Sequence, residues 1–521
     1  MMNGDFSNPP EISFDVVSNK MIEYFTLTLN PSVKSSYPKN ITLSCYDQSN
    51  TLVKEITVDP LTINTLPNIL FDIHTNNITH MTLTFNGTIA PHRRIRVANI
   101  MFGRMLTLTQ DDMLNTDYLD KCSYVPDSIP SRTFDFVMNN YNKTYNIDNP
   151  NNPYISLNNQ TKILMRNGYN IFGYVEDGDG NATINNPERI KLIEWDDWKE
   201  LRLLNVVTNN DNTCKFECGS ILDMMTDVYT AERFTNNRTV RYIIANLLNF
   251  MGLDTSIITF SSDDNGVSYG DYIINTVLPE LPVRELIQLL AFSVGATLLI
   301  KDDGTIKFAN LNLNDSGSFT HTHNFTYSDF TSIPVAEQLE STDKISLPKY
   351  NSTIDANETE ITNVNVDAYN VDVSYSACVP TGARKAADDT SQGSVQSADL
   401  YATRGYLTMN IPVAGVATKV SIVGYRINTH KTQDRTITND TLIIDTKLMS
   451  SDKNNVIKNK YKAWYNKKFK YSMNTRGEPL VDAGDYAIIQ SPFSEQLNTY
   501  VLQNHIKFDG TWSGDMEVIA L

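Results

Sequence analysis

At 521 residues the chain is too long for one hydrophobic core; at roughly 150 residues per domain it has room for three or four. Hydrophobic residues make up 41% and charged residues 20%, which excludes a disordered chain. The formal net charge is −17 and no stretch forms a basic stripe, which excludes sequence-specific or scanning nucleic-acid binding, since phosphates need clustered Lys and Arg.

The densest basic stretch, Lys458 to Lys470, falls on a predicted amphipathic helix and its exit, and reads as a solvated face. An acidic protein can still face DNA, because a negative surface repels it and leaves it mobile. Frequent Asn and Thr, with 26 Tyr and 21 Phe, favour many short strands joined by polar turns.

Met1 to Pro10 is polar, with neither a basic start nor an apolar core, so no signal peptide is expected. The longest apolar stretch, Ile287 to Ile300, is interrupted by Gln288, Ser293, Gly295 and Thr297 and is too short to span a bilayer. The five cysteines, Cys45, Cys122, Cys214, Cys218 and Cys378, are odd in number and scattered, which fits folding in a reducing cytosol.

Residues 1–103 predict a small β-sandwich. Alternating runs at Glu11–Val17, Ile22–Leu29, Ile41–Tyr46, Ile56–Val58, Met81–Phe85 and Ile95–Met101 are separated by Pro, Asn and Gly turns. Sandwiches of this size hold sugars or act as plain spacers, and both readings stay open here.

Residues 104–235 begin with a polar lead-in, Thr107 to Asp120. Strands are predicted at Thr133–Met138, Lys162–Met165, Asn170–Val175, Ile190–Glu194, Glu200–Val207 and Cys214–Cys218, the last running into a short helix.

In residues 236–340, Val240, Ile243, Ile244, Leu247, Leu248 and Met251 fall at helical spacing, with Gly252 as the stop. Pro282 opens a second helix lined by Leu286, Leu289, Leu290 and Phe292, and Gly295 follows its end. A hairpin then turns at Asp302-Asp303-Gly304.

Residues 341–521 are again strand-like. They carry a predicted mobile loop at Gly382–Ser397, a helix over Ser451–Lys467 with Val456, Tyr461, Trp464 and Tyr465 near one face, and final strands at Tyr486–Gln490, Tyr500–Phe508 and Ser513–Leu521.

Four local patterns resemble the tail-hub proteins of phages and phage-derived tails. The first is Pro130-Ser131-Arg132-Thr133-Phe134-Asp135-Phe136, running through Tyr145–Pro150 to Gln160–Arg166 and Asn167-Gly168. The second is Cys214-Lys215-Phe216-Glu217-Cys218-Gly219-Ser220-Ile221-Leu222-Asp223. The third is Arg284–Leu290, leading to Gly295 and Asp303-Gly304; the fourth is Trp464 followed by Gly477–Ile488. The sandwich lies outside these patterns and is similar to discoidin-type jelly-roll modules.

The resemblance implies a non-enzymatic virion component of a tail tip or baseplate, assembled in the host bacterial cytoplasm. It implies a homotrimeric hub whose β-barrel domains sit beneath the tail tube, joined to distal tail proteins and to spike or receptor-binding proteins. The chain ends at Leu521 without the peptidase, lysozyme or lyase region of longer members, which argues against wall degradation. The alternative is a receptor-binding protein that holds host cell-wall carbohydrate through residues 1–103. The expected fold is mainly β and multi-domain, with a small α/β module at 236–340.

Chemical candidates are few. Asp177, Asp179, Asn181 and Glu188 match calcium-loop positions, but Ala182 stands where the template needs Gly, and a solvated hairpin loop accounts for them better. His321 and His323 share a strand face with metal-competent spacing, although exposed strand histidines are commoner. Cys214 and Cys218 flank Phe216 on one strand face; a zinc site would need a second such pair.

Glu194, Asp196 and Asp197 beside Trp195 and Trp198 have a composition seen in sugar-cleaving clefts, yet a turn with the tryptophans as interface anchors explains it better. The other histidines, His74, His80, His92, His430 and His505, have no nucleophile partner. No residue is assigned a catalytic, cofactor-binding or metal role, and no cofactor is expected.

Overall fold

The computed structural model describes residues 6, 8–16, 22–29, 37–59, 68–88, 94–95, 97–102, 112–143, 145–146, 149, 161–173, 190–195, 197–209, 212–311, 323–342, 344–411, 416–433, 441–449, 454–491, 493 and 496–521. They form two compact units, Met1–Asp112 and Met113–Leu521. The fold is mainly β, in several sheets with few helices.

The first unit is a β-sandwich. One antiparallel sheet has the order Glu11–Asp15, His80–Phe85, Ile41–Tyr46, Leu52–Val58, and the other Asn68–Thr75, Ile22–Leu29, Val97–Phe102. Period-two alternation sends Ile41, Leu43, Cys45, Met81, Leu83 and Phe85 from one sheet into the same core as Phe25, Leu27, Leu29, Ile69, Phe71 and Ile73 from the other.

The second unit is organised by one eleven-stranded sheet. Its main path runs Lys162–Met165, Lys199–Asn209, Thr213–Gly219, Ser131–Asn139, Met113–Lys121, Gln496–Phe508, Trp512–Ala520, Phe469–Thr475, Val335–Gln338. The strand Met113–Lys121 lies within and just beyond the predicted polar lead-in. It pairs Ser131–Asn139 on one side and Gln496–Phe508 on the other, so Asp117 and His505 meet although 388 positions separate them. The predicted core face Cys214, Phe216 and Cys218 is buried against Phe134, Phe136 and Met138 of the neighbouring strand. Phe136 and Phe216 stack with centroids 4.8 Å apart.

Two helices pack beside this sheet. Helix α1, Val240–Phe250, is capped by the Thr239 hydroxyl, which accepts from the Tyr242 N–H, and it buries Val240, Ile243, Ile244, Leu247 and Leu248. Helix α2, Val283–Val294, starts after Pro282 and ends at Gly295, whose φ of 74° puts it in the left-handed region. The strand Ile306–Ala309 runs parallel to Ile258–Phe260 and antiparallel to Thr297–Ile300. Helix α3, Asn454–Tyr465, joins the same core through Ile457, Tyr461 and Trp464. The Tyr461 hydroxyl donates to the Phe292 carbonyl at the end of α2.

The helix differs from expectation in one respect: Lys460, read as part of a solvated face, is only 8% exposed.

Between the hairpin and α3 lies a further β unit built on the long strand Thr418–Thr432, which pairs with Lys349–Ile354, Thr359–Val366 and Cys378–Lys385. A second sheet, Asn370–Ser374, Arg404–Asn410, Ser394–Leu400, shares its core through Val373, Leu407, Met409, Val420 and Ile422. The predicted mobile loop Gly382–Ser397 is therefore largely strand at both ends. One of its glycines serves close packing: a Cβ on Gly393 would collide with the Thr418 hydroxyl.

Candidate functional site

The densest chemistry in the second unit is a buried ionic cluster. Arg132 leaves the strand Ser131–Asn139 and is 1% exposed. Its guanidinium donates to Asp120 at 2.7 Å and to Asp302 at 2.8 Å, and lies 3.5 Å from Asp482. Lys199, also buried, reaches Asp482 at 2.8 Å and Asp302 at 3.5 Å. The Ala483 N–H donates to Asp120 at 3.0 Å.

Burial opposes the charge on Arg132, but Asp120, Tyr118 and Asp482 together outweigh it, so its pKa lies well above the ordinary value. Burial likewise opposes the charge on Lys199, and Asp482 and Asp302 overcome it. Two cations thus meet three carboxylates supplied by the strand Met113–Lys121, the hairpin at 302–304 and the turn before Tyr486–Gln490.

This arrangement ties distant segments of the second unit together. The hairpin is further fixed by the Glu200 N–H, which donates to the Asp302 carbonyl at 2.7 Å. Gly304, with φ of 77°, sits against the Glu200 side chain, where a Cβ would be 3.1 Å from Cγ. A surface groove lined by Tyr327, Phe330, Thr331, Ser332 and Ile333 carries no acid–base residue other than the tyrosine.

A second polar group lies where α3 meets the parallel strand pair. Lys460 Nζ donates to Asn310 Oδ1 and to the Tyr269 hydroxyl. Asn310 Nδ2 in turn donates to Asp264 at 2.8 Å. Burial pushes the lysine down to about 8. Next to it, Tyr272 donates to Asp263 at 2.7 Å.

Among the described residues, those singled out from the sequence do not converge on one site. Asp177, Asp179, Asn181, Ala182 and Glu188 lie outside the described residues, as does His321. His323 lies on the strand His323–Phe325, parallel to Tyr486–Gln490, with Nε2 3.2 Å from Asp485. Cys214 and Cys218 are free and buried, and burial raises both thiols, Cys214 to about 11, which suits an apolar strand face better than a thiolate ligand.

Asp197 and Trp198 sit at the turn between Ile190–Trp195 and Lys199–Asn209. The Trp198 ring, half exposed, is covered by the Arg166 guanidinium at 4.2 Å. His505 bridges Asp117 at 2.7 Å and Asp515 at 3.0 Å across three strands. Among the described residues no group of three or more His, Cys, Asp or Glu side chains is arranged to hold a metal, and no helix is long and apolar enough to cross a membrane.

Sequence reasoning missed the ionic cluster. Its members are spread along the chain, and only Arg132 and Asp482 fall inside the four patterns.

No family model matches the chain, and no curated protein matches it. Solved structures do. A tail protein from Neisseria meningitidis MC58 is similar at 10% identity and a TM-score of 0.39, over 78% of this chain and 92% of that one. The 43 kDa tail protein of prophage MuSo2 from Shewanella oneidensis is similar at 11% identity and a TM-score of 0.36, over 81% and 95%. The prophage tail protein gp18 from Listeria monocytogenes EGD-e is similar at 9% identity and a TM-score of 0.35, over 81% and 91%. Each of these three solved structures is of a tail protein, two of them from prophages.

Proposed function

We propose that the chain is a structural, non-enzymatic component of a phage tail tip or baseplate, and that it acts there as a hub. As a homotrimer it links the tail tube to distal spike or receptor-binding parts. The observation that carries the reading is the meeting of two of the four patterns, beside the edge of a third, at one ionic cluster. Arg132 comes from the first pattern, Asp302 adjoins the Asp303-Gly304 turn of the third, and Asp482 belongs to the fourth. The second pattern pairs with the first along the strands Thr213–Gly219 and Ser131–Asn139.

A buried cluster whose charges pair with one another across distant elements fixes shape and registry, which supports a structural role. The long sheet gives that shape a rigid base, as a part loaded by its neighbours requires.

The test is sedimentation of the purified full chain, followed by co-sedimentation with tail tubes from a virion that carries it. A stable trimer that pellets with assembled tube supports the hub. A monomer at high concentration with no tube affinity overturns it. Binding of the full chain to isolated cell walls, competed by free wall sugar, would instead support the receptor-binding role of residues 1–103.

A further inference from the structure

We propose that Lys460 and Asn310 form an intramolecular isopeptide cross-link, a self-modification that joins α3 to the chain just after the strand Ile306–Ala309. Three observations converge on it. The Lys460 amine is held on the Asn310 side-chain amide, donating to Oδ1. The nitrogen of that amide, the group that would leave, donates to the Asp264 carboxylate at 2.8 Å. The amine is buried beside the nearly inaccessible Tyr269, whose hydroxyl is its second partner.

Nucleophile, electrophile and proton carrier are thus adjacent before any reaction. Adjacency of this kind replaces the entropy cost of bringing an amine and an amide together.

Asp264 is left available for this role by its neighbour. Asp263 accepts the backbone N–H groups of Asn265 and Val267 at 3.0 and 2.8 Å and the Tyr272 hydroxyl, so it shapes the turn, while Asp264 reaches Asn310. Removal of the amine from water favours its neutral, nucleophilic form, in keeping with its lowered pKa of about 8.

The step balances within the chain. Neutral Nζ attacks Cγ of Asn310, the Nζ–Cγ bond forms and the Cγ–Nδ2 bond breaks. One proton passes from Nζ to Nδ2 through Asp264, and ammonia leaves. An amine and a primary amide become a secondary amide plus ammonia, with no oxidant, reductant or further reactant.

The placement gives the bond a mechanical meaning. The two residues are 150 positions apart, and the interval contains the whole β unit from Lys349 to Thr432. A link there closes this unit into a covalent loop. Tension along the chain would then bypass the β unit and pass directly from the strand Ile306–Ala309 to α3. Closing a long loop also limits the unfolded chain, as a disulfide does, without needing an oxidising compartment.

The experiment is peptide mapping by tandem mass spectrometry on the full chain after folding and prolonged incubation in mildly alkaline buffer, alongside Lys460→Arg and Asn310→Ala. The expected result is a branched peptide containing both positions, lighter by one ammonia than its two parts, in the unaltered chain and absent from both variants. Asp264→Asn should slow its appearance. Recovery of positions 310 and 460 only as separate linear peptides overturns the proposal. So does an ammonia loss that maps only to a succinimide at an Asn-Gly step such as Asn265-Gly266. The unaltered chain alone decides between these results, so the test stands even if a variant fails to fold.

Discussion

Replacing Arg132 by Met removes the centre of the ionic cluster while keeping much of its apolar bulk. Asp120, whose side chain is 4% exposed, would lose its 2.7 Å partner and keep only the Ala483 N–H at 3.0 Å. Asp302 and Asp482 would keep Lys199. The loss therefore falls on one uncompensated buried carboxylate, and breaking a buried pair in this way costs about 3–5 kcal/mol. Because two of the three carboxylates remain served, the expected cost is at the low end, about 3 kcal/mol.

The assay is guanidinium unfolding followed by tryptophan fluorescence, in which Trp464, buried in the second unit's core, is a natural reporter. The double variant Arg132→Met with Asp120→Leu removes the orphaned charge and should recover most of the loss, since apolar pairs replace buried ion pairs at little cost. A single variant that loses under about 1 kcal/mol, or a double variant no better than the single, would refute the argument that these charges hold the segments together.

Three further outcomes follow from particular residues. Gly295→Ala should destabilise the second unit by about 1–2 kcal/mol through backbone strain alone, because φ is 74° and the nearest atoms to a Cβ are an unstrained 3.6 Å away; thermal unfolding measures it. Gly393→Ala should cost about 1–3 kcal/mol, because its Cβ would meet Thr418, whereas Gly382→Ala, with nothing within 4 Å, should stay within about 0.5 kcal/mol; limited proteolysis between Lys349 and Thr432 compares them. The Glu217 carboxylate is held below its usual range by hydrogen bonds from Lys215 and then Asn205. A depressed carboxylate contributes stability above its unfolded pKa that is lost as pH falls through the folded value, so Glu217→Gln should flatten that part of an acid-unfolding curve.

Much of the local structure was legible because burial follows period. Ile22–Leu29 and Ile41–Tyr46 are legible from alternation, and α1 and α2 from helical spacing with Gly252 and Gly295 as stops; the strands expected at Lys162–Met165 and Tyr486–Gln490 also form. Met113–Lys121 was not recognised, for a physical reason. Its buried face includes Asp120, a charge that only Arg132 and Ala483 make tolerable, so the strand reads as polar. Asn68–Thr75 and Phe469–Thr475 were passed over too.

The cluster itself could not be read. Asp120 and Arg132 are register partners on adjacent strands, but Lys199, Asp302 and Asp482 join them from distant segments of the chain. Lys460 was misjudged because basic composition was taken for solvation, whereas Tyr269, Asn310 and Asp264 give its amine a polar pocket that no helical period reveals.

The central claim, a structural hub in a phage tail, is tested most directly by a cryo-EM map of the virion that contains this chain. The prediction is three copies around the tail axis at the distal end of the tube. Copies found only at the periphery, away from the axis and without contact to the tube, would contradict it.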